Sequence, residues 1–599
     1  MPTLNWLGKD AVLKHHVPYR TLELKESFNC DLGKSENKII QGDNLEALKA
    51  LLPEYEGRIK CIYIDPPYNT GASPDKGGWV YYDNVDSPKI RKWIKQVVGK
   101  EFDDLNRHDK WLCMMYPRLK LLHRLLDRNG FIAISIDDNE LINLACILDE
   151  IFGYANRLAC VPVLSEPSGG KAKEALRIGH EYILLYIKRD NDELKYETKK
   201  VEGTIHKDEF GEYIRGRELS KWGSESLKTD RPDMWFAIQA PDGSMVYPYR
   251  NDGLEGRWRW GRDNPNMIEL LNNPNCPCVY WEKRKFDNGI VVNGETERIF
   301  PYEKIRVKEK ELGWSTWLDK IGFNSIGTSE LKNIFGTKNF DTPKPTTLVQ
   351  WVVNLMKDSN GIVLDSFAGS GTTAHAVLNL NKQDGGNRKF ILIEMEDYAD
   401  KITAERVRRV IKGYKADELT ELYSQELTPN NLKNASDYLE EIKAIRAERK
   451  DDFDSLDTKI KDNTLKLYGK KKGYTEGLGG DFNYYKLGPE MIINGILNEQ
   501  QPIEKIREYI FHSETRTPID QDKVEKAKHD YFLGDFDNTA YYFFYKKNEI
   551  TTLDFRFLST IHTKSERYVI FADNCVLPKD FLFKHNIIFK KIPRDVRRF

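Results

Sequence analysis

Two short apolar runs, far apart in the chain, each stop abruptly at an acidic residue and a turn. Ile59-Lys60-Cys61-Ile62-Tyr63-Ile64 is followed by Asp65-Pro66-Pro67-Tyr68, and Asn360-Gly361-Ile362-Val363-Leu364-Asp365 is followed by Ser366-Phe367-Ala368-Gly369-Ser370-Gly371-Thr372-Thr373. Brief runs of this kind, bounded by Pro and Gly, read as buried strands. Lys38-Ile39-Ile40, Phe131 to Ile136 and Lys389-Phe390-Ile391-Leu392-Ile393-Glu394 read the same way, while Leu45 to Leu52 and Trp111 to Leu126 carry a helical apolar period. Strands alternating with helices pair in parallel, so the expected fold class is α/β with a mostly parallel, doubly wound sheet. Because the pattern fades after residue 156 and returns at 339, one such domain is expected from 1–156 and 339–412, with a different module inserted at 157–338.

The inserted stretch is rich in Gly, Pro, Trp, Arg and Lys and poor in long periodic segments. Residues 413–472 are highly charged and helix-prone. There Leu432, Ala435, Leu439, Ile442, Phe453, Leu456 and Ile460 fall near a heptad seam that Arg446 and Arg449 interrupt, which suits a packed helical arm, with a coiled coil as the alternative. Residues 473–599 read as a small α/β domain, with strand-like runs at Tyr541–Tyr545, Tyr568–Phe571 and Asn586–Phe589 and a basic tail holding Arg594, Arg597 and Arg598.

At 599 residues the chain exceeds what one core usually supports. No uncharged apolar run reaches the ~18–20 residues of a membrane span. The N-terminus lacks the basic and apolar regions of a secretory signal, so a cytoplasmic location is expected. The 8 cysteines are scattered, Cys276 and Cys278 being the close pair, which suits reduced thiols and no metal site. A net charge of -1 argues against a protein that coats nucleic acid indiscriminately, yet leaves room for a local basic groove.

Asp65-Pro66-Pro67-Tyr68 stands where open α/β sheets place their ligands, beyond the carboxyl end of a strand. Two prolines make the turn rigid. The Asp65 carboxylate and the Pro66 carbonyl can together accept both hydrogens of an aromatic amine, such as adenine N6. Its lone pair must be localised before it can attack a methyl group, and acceptors set against developing positive charge act mainly in the transition state. Tyr68 suits stacking on a base taken out of the duplex. In the second motif, a strand feeds a glycine turn that opens a helix, a geometry that receives an anion such as a methionine carboxylate. Gly369 and Gly371 allow close approach to the backbone, and Glu394 ends the next strand where a carboxylate commonly accepts ribose hydroxyls. Dinucleotide enzymes share that turn, whereas a P-loop is excluded by the missing Lys after Gly371. Phe340-Asp341-Thr342-Pro343-Lys344-Pro345 precedes an apolar helix from Leu348 to Met356.

With these residues in order, the chain resembles the β-group amino-methyltransferases, in which Asp-Pro-Pro-Tyr precedes the target-recognition region and Phe-Ala-Gly-Ser-Gly follows it. More closely it resembles the modification subunits of type III restriction–modification systems. Trp6-Leu7-Gly8-Lys9, Gly42-Asp43-Asn44-Leu45-Glu46, Tyr116-Pro117-Arg118-Leu119, His180-Glu181-Tyr182-Ile183-Leu184 and Gly256-Arg257-Trp258-Arg259-Trp260 carry the likeness, which covers residues 1 to about 412. The resemblance implies a Rossmann-like methyltransferase core, with a catalytic half at 1–156 and a cofactor-binding half at 339–412. It also implies a target-recognition domain at 157–338, a charged helical arm at 413–472 and a C-terminal α/β domain at 473–599. Asp65, Pro66, Pro67 and Tyr68 then serve catalysis and base binding. Asp43, Lys344, Pro345, Asp365, Phe367, Ala368, Gly369, Ser370, Gly371, Thr372 and Glu394 surround S-adenosylmethionine. Adenine N6 is favoured by Asp65, cytosine N4 being the alternative amine. The same resemblance implies double-stranded DNA as substrate, a homodimer, a separate helicase–nuclease restriction subunit, and a nucleoid-associated place in a bacterial or archaeal cell.

Within the insert, Arg257, Arg259 and Arg262, then Lys283, Arg284 and Lys285, are the candidate DNA-binding cations. Trp258 and Trp260 read as core, and His180-Glu181 as a surface or core pair rather than a metal site. Two rivals remain: a non-catalytic DNA-recognition subunit of a restriction complex, and an enzyme acting on RNA or on a protein glutamine.

Overall fold

The computed structural model describes residues 3–70, 88–169, 172–173, 175–189, 194–200, 203–306, 309–461 and 463–594. Arg597 and Arg598, singled out above, lie outside the described residues. Two compact units divide the chain, one of Tyr196–Trp314 and one of everything else.

The larger unit is organised by a nine-stranded sheet. Its strands, in chain order, are β1 (Arg20–Phe28), β2 (Lys38–Gln41), β3 (Ile59–Ile64), β4 (Leu126–Ile136), β5 (Arg157–Leu164), β6 (His180–Ile187), β7 (Ile362–Asp365), β8 (Lys389–Glu394) and β9 (Phe482–Glu490). Across the sheet the order is β1-β9-β2-β8-β7-β3-β4-β6-β5. The run from β9 to β4 is parallel, and antiparallel β1 and the β6–β5 pair flank it. β3 and β7 are therefore immediate neighbours, with Ile62 opposite Leu364. The chain leaves β3 toward β4 and leaves β7 toward β8, in opposite directions. That divergence is a topological switch point, where the loops part and open a crevice at the carboxyl ends.

Helices Asn44–Tyr55, Arg107–Leu125 and Leu141–Phe152 bury apolar stripes in the core around β3 and β4, where Trp111, Met114, Leu119, Leu122, Ile62, Ile64 and Leu364 are nearly inaccessible. Asp43 caps the first of these, accepting from the Leu45 and Glu46 amides at 2.8 and 3.3 Å. No helix among the described residues is long and apolar enough to cross a membrane.

The α/β reading of the core holds, but three boundaries move. β5 and β6, expected in the insert, belong to the main sheet; seven of the eight residues of His180–Ile187 are apolar or shielded, so the strand needs cover on both faces. The independent insert is thus Tyr196–Trp314 rather than 157–338. It holds a four-stranded antiparallel sheet of Ile205–Asp208, Gly211–Glu218, Glu297–Ile305 and Val279–Lys285, and a core around Trp258, Phe236, Met267 and Leu270.

The charged arm is not mainly helical. Gly413–Glu426, Ser455–Lys461 and Thr464–Glu476 form a three-stranded antiparallel sheet, with a single longer helix at Ala435–Glu448. Leu465 and Leu467 alternate with Lys466 at the period of a strand and meet Ile442 of that helix, whereas Leu432, Leu439 and Ile460 are exposed. The last region also begins later than expected, because β9 inserts between β1 and β2 of the main sheet. Beyond β9 the chain forms a second sheet of Phe532–Phe536, Thr539–Phe543, Arg567–Ala572 and Ile587–Lys591, the last three parallel. Arg594 is no tail residue, since its guanidinium is buried on Asp573 at 2.6 Å.

Candidate active site

The turn after β3 is held from behind. The Pro67 carbonyl accepts from Trp111 Nε1 at 2.7 Å. Asn69 takes a left-handed conformation (φ 60°) and its amide donates to Arg107 O at 3.1 Å and to buried Glu140 Oε1 at 2.5 Å. His108 Nδ1 and Asn143 Nδ2 meet the same Glu140 carboxylate at 2.7 and 2.8 Å. The backbone of Pro66 and Pro67 is buried, while Asp65 and Tyr68 keep partial access to solvent.

On the open side, four charged or polar side chains converge. Lys344 Nζ lies 3.1 Å from Asp65 Oδ1 and 3.3 Å from Glu181 Oε2. The Tyr68 hydroxyl donates to that Glu181 oxygen at 3.0 Å, and the Lys344 ammonium sits 4.8 Å from the centroid of the Tyr68 ring. Burial disfavours the Lys344 ammonium, but Asp65 and Glu181 outweigh it, so its pKa is raised. Burial likewise raises the Glu181 carboxyl, with Lys344 opposing.

Beside it, the turn after β7 is fastened at each residue. Asp365 accepts from the Phe367 amide at 2.9 Å and from Thr373 Oγ1 at 2.5 Å, which closes the turn onto the helix Thr372–Asp384. The Ala368 amide donates to Ile393 O and the Gly369 amide to Glu394 Oε2, at 3.1 and 2.8 Å. Gly369 and Gly371 have φ of +50° and +81°; a Cβ on Gly371 would stand 2.9 Å from the Thr403 carbonyl. Arg406, fully buried, donates to Ser370 Oγ and Thr372 Oγ1 at 2.9 and 2.8 Å, and Thr372 Oγ1 donates on to Lys344 O at 3.2 Å. Burial pushes the Asp365 and Glu394 carboxyls up to about 7.

The structure therefore brings the two motifs to one crevice, and it sorts the expected residues. Asp365 spends its polar atoms on the turn and its helix, and Ser370 and Thr372 spend theirs on Arg406 and the Lys344 carbonyl. Lys344 reaches Asp65 rather than the glycine turn, and Pro345 precedes the helix Thr346–Asn354.

A family model described as DNA methylase matches residues 59–405, the span that holds both motifs. The chain belongs to the N6/N4 DNA methylase family. Among curated relatives, this DNA methylase is 32% identical over 466 residues to the EcoPI Mod subunit of a type III restriction-modification enzyme from Escherichia phage P1, covering 68% of each chain. It is 33% identical over 403 residues to the type II methyltransferase M.KpnI of Klebsiella pneumoniae, covering 65% of this chain and 88% of that one. It is 31% identical over 446 residues to the StyLTI Mod subunit of Salmonella typhimurium, covering 69% and 63%.

In the methylase's inserted unit, two expected DNA contacts are turned inward. Arg257 is buried and donates to the Glu225 and Trp258 carbonyls at 2.6 and 3.4 Å. Arg284 binds Glu218 Oε2 and Asn251 Oδ1, both at 2.6 Å. Each guanidinium balances polar groups of the module itself, which offsets the cost of shielding them from water. Arg259 donates to Glu218 O at 2.8 Å, Arg262 stacks 4.3 Å from Phe236, and Lys283 and Lys285 remain exposed. Trp258 is core, as its composition suggested. Sequence reasoning missed Glu181, because an acid beside exposed His180 at the start of an otherwise shielded strand carries no mark of the side chains it meets.

Proposed function

We propose that this DNA methylase methylates N6 of an adenine flipped out of duplex DNA, as the modification component of a restriction–modification system. The observation that carries the reading is the pairing of β3 with β7, which sets Asp65 beside the glycine turn. The Mod names of its relatives support it.

The residues fit S-adenosylmethionine. Ser366 Oγ is buried and receives no hydrogen bond from a described residue, the left-handed Gly369 and Gly371 leave two positions of the turn without side chains, and the Glu394 carboxylate ends β8 alongside. Phe367, Gly369 and Glu394 would hold the cofactor, with the start of helix Thr372–Asp384 turned toward its anionic end. When bound, S-adenosylmethionine supplies an electrophilic methyl group on a sulfonium. Asp65 Oδ and the Pro66 carbonyl accept the two hydrogens of the adenine amine, which localises the nitrogen lone pair. Their negative charge faces the positive charge that grows on nitrogen, so their attraction is strongest in the transition state. Asp65 or solvent then takes the surplus proton. The rigid Pro66-Pro67 backbone, held by Trp111 and Asn69, spares the site reorganisation during transfer.

Exposed Lys283 and Lys285, with Arg259 and Arg262, are the cations of the inserted unit offered to phosphates or base edges. A second copy of the chain and a helicase–nuclease subunit are the proposed partners, in a bacterial or archaeal cytoplasm. The test is transfer of tritiated methyl to duplex DNA followed by nucleoside analysis. N6-methyladenine is expected; N4-methylcytosine would overturn the base assignment, and no transfer would leave a DNA-recognition subunit.

A further inference from the structure

Glu181 has no part in the reaction as described, yet it lies in the catalytic crevice. Its carboxylate is buried, its Oε2 takes the Tyr68 hydroxyl at 3.0 Å, and the Lys344 ammonium stands 3.3 Å away. Its other oxygen, Oε1, is buried and accepts no hydrogen bond from a described residue. An open acceptor on a buried carboxylate is costly, and its persistence at a site calls for a reason. One ammonium thus stands between two carboxylates, one of which has unused capacity.

The arrangement poses a conflict at Asp65. Lys344 stands 3.1 Å from Oδ1 of Asp65, the carboxylate that must accept a hydrogen of the target amine. An ammonium left there competes for the acceptor and repels the positive charge that grows on the amine nitrogen. We propose that Lys344 is a displaceable place-holder on Asp65, and that Glu181 is the carboxylate onto which it withdraws when the amine enters, its open Oε1 completing the new seat. The inference rests on Asp65 being the amine acceptor. Until the base arrives, the ammonium holds the Asp65 carboxylate in place. The backbone of Lys344 stays put during the exchange, because Pro343 and Pro345 restrict it and Thr372 Oγ1 donates to its carbonyl at 3.2 Å. Lysine suits this exchange, since a compact ammonium on a flexible stem can shift between neighbouring oxygens, whereas a guanidinium fork locks onto one carboxylate. Glu181 and Lys344 are accordingly positioning residues.

The experiment compares kcat, KM for duplex DNA and S-adenosylmethionine affinity in Glu181→Gln, Lys344→Met and the double variant. Glutamine still accepts the Tyr68 hydroxyl but has no charge to hold the ammonium, so Lys344 stays on Asp65; kcat falls about 100-fold, with cofactor affinity within about threefold of wild type. Removing the lysine as well takes away the competitor, and the double variant is about tenfold faster than Glu181→Gln alone. A double variant as slow as Glu181→Gln, or slower, overturns the proposal, because two merely structural losses add and do not cancel. Should Glu181→Gln not fold, Lys344→Arg reads the same point: a fork gripping both Asp65 oxygens lowers kcat, and an unchanged kcat overturns the place-holder role. Wild-type protein that transfers no methyl group, or an Asp65→Ala variant of normal activity, removes the amine-acceptor reading and this proposal with it. A failed rescue with wild-type activity intact removes only the proposal.

Discussion

Ile62 and Leu364 face each other across neighbouring parallel strands, so the turns that begin at Asp65 and follow Asp365 leave the sheet at one edge. The pair joins the strand before the Asp65 turn to the strand before the glycine turn, although the whole inserted unit separates them in sequence. Because the strands diverge to opposite sides after those residues, the crevice between them follows from topology rather than from any loop.

The buried carboxylate of Glu394 gives a pH signature. Burial raises it from an ordinary 4.5 to about 7, so it is neutral well below that value and charged above it. In its proposed role as hydrogen-bond acceptor for ribose it acts best ionised, so cofactor affinity measured by calorimetry should rise with pH through about 7. Glu394→Gln should bind more weakly and lose that dependence. Stability has the opposite sign. A raised acid pKa means that the protonated folded state is fully favoured below the unfolded value, and that stability is lost as pH rises toward the folded one. The stability of Glu394→Gln relative to wild type should therefore improve as pH rises from 4.5 to about 7 without cofactor.

Gly371 tests the turn. An alanine there keeps φ at +81° and meets the Thr403 carbonyl at 2.9 Å. A loss of ~1–3 kcal/mol is expected, read as a lower Tm, together with weaker cofactor binding. An unchanged Tm and affinity would show that the turn does not need glycine at this position.

The inserted unit separates structural from DNA-facing cations. Changing Lys283 and Lys285 together to Glu should reduce the salt dependence of DNA binding by about 2 in log–log slope or more. Arg257→Ala should leave that slope alone and instead lower the melting temperature, since its guanidinium serves the Glu225 and Trp258 carbonyls. Equal slopes for both variants and wild type would exclude the exposed edge of Val279–Lys285 as a phosphate-binding surface.

Much of the methylase core could be read in the chain. The strands ending at Ile64, Asp365 and Glu394 are short apolar runs closed by acids and turns, and the helix from Thr346 was marked by Pro343 and Pro345. The arm was misread because a heptad-like spacing of Leu432, Leu439 and Ile460 resembles a helix seam, whereas tertiary pairing of Leu465 and Leu467 decides for strands. Membership of β5, β6 and β9 in the main sheet depends on pairings across long sequence separations, which local pattern does not encode. At the site, Asp65 and Glu394 were visible at strand ends. The roles of Glu181 and Lys344 were not, since they arise only when a strand from beyond the first half and a proline-flanked loop meet at one carboxylate.

The account stands most directly on Asp65. Asp65→Ala, assayed by tritiated methyl transfer to duplex DNA with cofactor affinity measured in parallel, should lose at least ~100-fold in kcat while S-adenosylmethionine binds within about threefold of wild type. Normal turnover in that variant would contradict the account at its centre.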